Sequence, residues 1–198
     1  HLGMRFIPGV EVSVTFLGKT VHIVGLGVDY DSQNLIDSLR YVRSGRWQRA
    51  QRIADALASM GVDQALEGAV QYATNPELVS RTHFARFLVD KGYCTTIQEV
   101  FSKYLGDQAP AFVPMQWATL EESVRWITDA GGVAVIAHPG RYEFDSLQFD
   151  LLFAQFKDLG GVGIEVVTGS HAPHQYLEYA QVAIRYGFEA SGGSDFHG

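Results

Sequence analysis

The chain has 198 residues, 46% hydrophobic, 12% aromatic and 19% charged, a balance that supports a packed core in one domain, with or without an insertion, and excludes a largely disordered chain. Its net charge of −7 argues against a broad nucleic-acid surface while leaving room for a local phosphate pocket. A single cysteine, Cys94, excludes an internal disulfide and a thiolate zinc site, so any metal must rest on histidines and carboxylates.

Residues 5–14 (RFIPGVEVSV) are rich in β-branched residues and predict a strand, and residues 20–28 (TVHIVGLGV), after Gly18-Lys19, predict its hairpin partner. From Ser32 the pattern turns helical: Leu35, Ile36 and Leu39, then Ile53, Ala54 and Leu57, recur at helical spacing, as one long helix or a broken pair. Further helices are expected at about 63–72, 82–91 and 96–104, with breaks at Asn75-Pro76 and Gly92-Tyr93. Beyond Pro114 the order becomes helix and strand in turn. Thr119-Leu120-Glu121-Glu122 is a capping box that opens a helix to Ala130, followed by a strand at 133–137, a helix at 147–159, a strand at 163–167, a helix at 176–186 and a last strand at 188–192. Alternation of this kind predicts an α/β fold with a parallel sheet or barrel, residues 1–34 and 115–198, interrupted by an all-helical insertion, residues 35–114. No apolar run approaches the roughly 20 residues of a membrane span and the N-terminus lacks a signal-peptide layout. The expectation is a cytoplasmic protein with no membrane and no obligate protein partner.

In α/β barrels the working residues stand at strand C-termini. Here Glu11, His22, His138 and Glu165 lie within or directly after apolar strand sequences, and Asp195 and His197 follow Gly192-Gly193-Ser194. A carboxylate among apolar neighbours is costly unless paired or bound to a metal. Taken singly, Glu11 and Glu165 fit an ion pair or a sheet edge as readily as a ligand, and His22 alone fits a hydrogen-bonded core histidine. As a set, three imidazoles with two or three carboxylates suit Mn²⁺, Fe²⁺ or Zn²⁺. Asp195 and His197, one residue apart, would project to one side of an extended chain.

Residues 6–13 (FIPGVEVS), 21–26 (VHIVGL), 81–86 (RTHFAR), 137–142 (AHPGRY) and 192–198 (GGSDFHG), in this order across essentially the whole chain, resemble the PHP (polymerase and histidinol phosphatase) family. Within it they resemble the subgroup of nucleoside 3',5'-bisphosphate phosphatases and 5'-to-3' exoribonucleases. The resemblance implies a distorted (β/α)7 TIM-like barrel, carrying up to three divalent metals, manganese foremost, with iron or zinc as alternatives. It also implies hydrolysis of nucleoside 3',5'-bisphosphates or short 5'-phosphorylated RNA. By motif position Glu11, His22, His138, Asp195 and His197 would be metal ligands, with Asp195 and His197 at the catalytic centre. Ser80, Arg81 and His83, at a helix N-terminus in an insertion that caps the active site, would bind substrate phosphate, a role suited to a helix N-terminus combined with an arginine. The family's His-x-His and Thr-Asp-His-Asp-like motifs do not occur in this sequence, so the chain is expected to resemble the family without its first strands and its C-terminal tail, and to hold an incomplete metal set.

Histidinol-phosphate phosphatase is a second enzyme reading, and a non-catalytic PHP module that binds metal or a partner a third. Arg40, Arg43, Arg46, Arg49 and Arg52 recur every third residue, a spacing that winds around a helix, so most should be solvated, with Arg46 or Arg49 the ones to reach a phosphate. Gln108-Ala109 stands where the subgroup commonly has Gly-Lys. Lys103-Tyr104 fits the subgroup as packing or as a phosphate contact, and His171 and His174 follow the Glu165 strand as exposed loop residues or substrate contacts.

Overall fold

Short alternating runs of apolar and polar residues form β1 (Gly9–Phe16) and β2 (Lys19–Leu26), paired as an antiparallel hairpin in which Phe16 faces Lys19. The two-residue turn between them, Leu17-Gly18, takes φ of 47° and 77°, the left-handed pair that matches the twist of the flanking strands. A computed structural model describes residue 3, residues 6–115 and residues 117–196 of the chain. After the hairpin come α1 (Gln33–Ser59), α2 (Ala65–Val70), α3 (Arg81–Asp90), α4 (Ile97–Val100), α5 (Leu120–Asp129), β3 (Val133–Ile136), α6 (Ser146–Asp158), β4 (Gly163–Thr168), α7 (Pro173–Tyr186) and β5 (Glu189–Gly193). They fall into two units, residues 1–39 with 117–198, and residues 40–116.

In the first unit the strands form one sheet in the order β1-β2-β3-β4-β5. The antiparallel β1/β2 pairing is the hairpin expected from the sequence, and β3/β4 and β4/β5 are parallel as the alternation predicts; the wholly parallel pairing of the rest of the sheet is corrected at one seam, where β2 runs antiparallel to β3. Helical crossovers dictate parallel pairing within β3-α6-β4-α7-β5, but they say nothing about the strand that the hairpin presents to β3. Alternation along the hairpin buries Val12, Val14, Val21 and Ile23 on one face. It leaves Glu11, Ser13, His22 and Val24 on the more open face. The first strand starts at Gly9, later than predicted: Pro8, just before it, has no N–H to give to the ladder, although its carbonyl accepts the Gly27 N–H at 2.8 Å. α5 opens on the predicted capping box, with Glu122 N–H donating to Thr119 Oγ1 at 3.1 Å and Thr119 N–H to Glu122 Oε2 at 2.8 Å.

The second unit is helical around Ile53, Leu57, Phe84, Leu88, Val100 and Leu105, all almost fully buried. Of the two readings of residues 35–57, one long helix is the correct one: α1 runs unbroken over 27 residues. The helix expected over 96–104 instead stops after one turn. It widens into a π-helical turn, Phe101–Leu105, closed by Gly106 N–H donating to Phe101 O at 2.7 Å.

Candidate active site

Glu11 faces Val24 across the hairpin and His22 faces Ser13, so the two are diagonal neighbours on the open face. His138 comes from the other side of β2, two residues past the end of β3. Its backbone sits at φ 26°, ψ 58°, a left-handed conformation that non-glycine residues seldom adopt, before the 3₁₀ turn Pro139–Arg141. This bend brings its imidazole over the hairpin. Glu11 Oε1 lies 2.8 Å from His22 Nδ1 and 3.2 Å from His138 Nε2, and the two ring nitrogens are 3.2 Å apart.

Three donor atoms meeting in this way match one face of a metal coordination shell, since bonds of ~2.1 Å in a tetrahedron give edges of about 3.4 Å. Hydrogen bonds from His138 and then His22 hold the Glu11 carboxyl far below the usual carboxylate range, more than offsetting the opposite pull of burial. It therefore stays anionic, as a ligand must be. His138 is 2% exposed, and its Nδ1 is buried without a hydrogen-bond partner among the described residues. The polar pairing of its imidazole among the described residues is thus on the Nε2 side, toward Glu11 and His22. A divalent cation fits this donor set of one carboxylate and two imidazoles.

The backbones that carry these candidate ligands are tied together by Tyr142, which sequence reasoning missed, and by Glu165 and His171, whose roles it left open. The Tyr142 hydroxyl accepts the His22 N–H at 2.8 Å and donates to Ala137 O at 2.8 Å, and its ring packs edge-on against His138. Burial pushes its phenol well above the usual range, so it remains a donor at neutral pH. Glu165 Oε2 accepts the His138 N–H at 2.7 Å. His171 is buried, contrary to the exposed-loop expectation, because it stacks on Tyr179 with centroids 4.9 Å apart. Its Nε2 accepts the Gly140 N–H at 2.9 Å and its Nδ1 donates to Val166 O at 3.0 Å. His174 is exposed at the start of α7. The sequence signal for Tyr142, its place four residues after a candidate ligand, is too weak to find it without the fold.

Asp195 lies outside the Glu11, His22, His138 cluster. Its side chain is 11% exposed, its φ is 53°, and it accepts a hydrogen bond from Arg141 at 3.1 Å. His197 lies outside the described residues.

In the helical unit, Ser80 N–H donates to His83 Nδ1 at 3.0 Å, closing the first turn of α3. Arg81 donates to Leu105 O at 3.1 Å and to Asp107 at 3.4 Å, with its guanidinium over the Phe101 and Phe112 rings. Arg49 donates to Val113 O at 2.7 Å. Burial, then the charges of Arg81 and Arg46, bring the Arg49 pKa down to about 10, while Asp107 opposes them. Burial alone lowers that of Arg46. The guanidinium groups of Arg46 and Arg81 lie close enough to Arg49 for their charges to bear on it. Arg40 and Arg52 are exposed, as the winding predicts, whereas Arg43 is half-buried beside Glu77. Lys103 pairs with Glu99 at 2.5 Å, and Tyr104 packs on the helical core.

No family model matches the chain. A 3',5'-nucleoside bisphosphate phosphatase of Chromobacterium violaceum is 47% identical over 98% of the chain and 68% of its own length. The 5'-3' exoribonuclease Rnm of Escherichia coli is 39% identical over 99% of the chain and 67% of its own length. A solved structure of an amidohydrolase from Chromobacterium violaceum, with bound sulfate and no metal, superposes at TM-score 0.85 with 47% identity, covering 98% of this chain and 69% of that one. A metal-dependent phosphoesterase structure from Bifidobacterium adolescentis, 24% identical at TM-score 0.77 over 100% of this chain and 70% of that one, shares the fold. The chemistry common to the two named enzymes is hydrolysis of phosphoric esters, and this chain is a hydrolytic phosphoesterase. It belongs to the PHP family, in the group of the 3',5'-nucleoside bisphosphate phosphatases and 5'-3' exoribonucleases.

Proposed function

We propose that the chain hydrolyses nucleoside 3',5'-bisphosphates and short 5'-phosphorylated oligoribonucleotides with the help of divalent metal. The observation that carries the reading is the convergence of Glu11, His22 and His138 on one point. In this reading Asp195 and His197 complete the ligand set and stand at the catalytic centre, and the metal is manganese, with iron or zinc as substitutes. The sheet forms part of a distorted (β/α)7 barrel, and the helical insertion serves substrate selection in the cytoplasm.

A divalent cation held there supplies Lewis acidity toward a phosphoryl oxygen and lowers the pKa of water. The protein's own groups do the rest. Glu11, kept anionic by its two histidines, fixes the charge of the site, while Tyr142 fixes the spacing of the His22 backbone and that of Ala137, the residue before His138. Arg81, with Ser80 and His83 at the start of α3 and Arg46 and Arg49 nearby in sequence, binds a substrate phosphate. Support for this comes from the crowding of Arg46, Arg49 and Arg81 charges.

The test is phosphate release from adenosine 3',5'-bisphosphate with Mn²⁺, set beside adenosine 5'-monophosphate and an EDTA control. Release from the bisphosphate that EDTA abolishes is expected. Equal rates on both nucleotides, or activity indifferent to EDTA, would overturn the proposal.

A further inference from the structure

Glu165 is the carboxylate that the proposed chemistry leaves unused. It lies on β4, one residue beyond Ile164, whose pairing with Ile136 is the last of the parallel β3/β4 ladder. Past that pair the β3 chain turns away into the left-handed bend at His138, and a backbone partner is no longer aligned for the His138 N–H. The Glu165 side chain takes its place, with Oε2 accepting that N–H at 2.7 Å. The other oxygen lies over Gly193 of β5, where an added Cβ would come within 2.8 Å of Oε1. Glu165 thus spans the gap between the turn that carries His138 and the strand that leads to Asp195.

We propose that Glu165 is a positioning residue: its carboxylate oxygen replaces the missing ladder partner of His138 and holds that residue in its left-handed backbone conformation, so that Nε2 points at Glu11 and His22. A residue held at φ 26° persists only where its surroundings over-determine it, and here a short hydrogen bond to the strained residue's own amide does so. Glu165 acts through the geometry of His138 and not as a ligand, and Gly193 supplies the space its second oxygen needs. The inference rests on the reading of Glu11, His22 and His138 as a metal site.

Reach and charge are separable at this position. Glu165→Gln keeps an oxygen at the same distance and loses the charge, whereas Glu165→Asp keeps the charge and withdraws the oxygen by one methylene. Zn²⁺ affinity is measured by competition with a chromophoric chelator for the unsubstituted protein, these two variants, His138→Ala, and Glu165→Asp combined with His138→Ala. Binding within about threefold of the unsubstituted protein is expected for Glu165→Gln, a loss of roughly ten- to 100-fold for Glu165→Asp, and no further loss when Glu165→Asp is added to His138→Ala. Equal losses for Gln and Asp would overturn the positioning role in favour of a charge or ligand role, and so would full affinity in Glu165→Asp. His138→Ala binding Zn²⁺ as tightly as the unsubstituted protein would overturn the metal site itself, and this inference with it.

Discussion

The Arg81 guanidinium serves two ends at once. It donates to Leu105 O and Asp107 and rests on two aromatic rings, so it is already oriented before any ligand arrives, and little further side-chain entropy is lost on binding. On the proposed function, Arg81→Ala should lower kcat/KM by about ten- to 100-fold, mainly through KM, because it would remove a phosphate contact and leave Glu11, His22 and His138 untouched. Steady-state kinetics on adenosine 3',5'-bisphosphate checks the split, and a fall confined to kcat would contradict it. At this scale the sequence is informative where chemistry clashes with surroundings. Glu11, His22 and His138 stand out as titratable groups in apolar runs, and the structure joins them. Glu165 stands out for the same reason, yet its role depends on where the β3/β4 ladder ends, which no local pattern records. Tyr142 and His171 read as ordinary residues, because what matters is the backbone group that each one reaches.

Among the elements, the start of α3 carries a pH-sensitive cap. Its N3 residue is His83, where a glutamate or glutamine usually closes the box, and Nδ1 must be unprotonated to accept the Ser80 N–H. Burial first, and Arg86 second, lower the His83 pKa from its ordinary 6.5. The unfolded chain therefore takes up the proton at higher pH than the folded one. The contribution is complete above the ordinary value and is lost as pH falls through the lowered folded value. Urea midpoints should drop between pH 7.5 and pH 5, and His83→Gln, which keeps an acceptor, should flatten that drop.

The turn after β3 is equally constrained. A Cβ on Gly140 would meet Gln175 at 2.5 Å and His171 at 2.7 Å, and His171 is buried against Tyr179. Gly140→Ala should cost about 1–3 kcal/mol of stability, read from urea unfolding. It should also weaken Mn²⁺ binding by disturbing the turn that bears His138. Element type and order are legible in the sequence from periodicity and capping residues, as Thr119 and Glu122 show. The antiparallel β2/β3 pairing is not, since partner choice between strands separated by the whole insertion is a long-range matter. The π-helical turn at Phe101–Leu105 also escapes detection, because its wider hydrogen bonding leaves no distinct hydrophobic period.

For the whole molecule, a ligand that binds only the folded state stabilises it by mass action. Mn²⁺ at 100 times its Kd should add about 2.7 kcal/mol, visible as a rise in Tm of roughly 2–4 °C for each kcal/mol. EDTA should reverse the rise and His138→Ala should abolish it, and a rise that survives in His138→Ala would place the metal elsewhere. The site also has a place in time. Glu11 and His22 share one hairpin, whereas His138 is 127 positions beyond Glu11 and 116 beyond His22. Hairpins close in microseconds, but contacts of such sequence separation wait for the intervening chain to be organised. Metal competence should consequently be among the last properties acquired on refolding, trailing the appearance of secondary structure. A cation that arrives early would meet Glu11 and His22 without His138, and tight metal capture would mark the moment at which β2 and β3 have found each other.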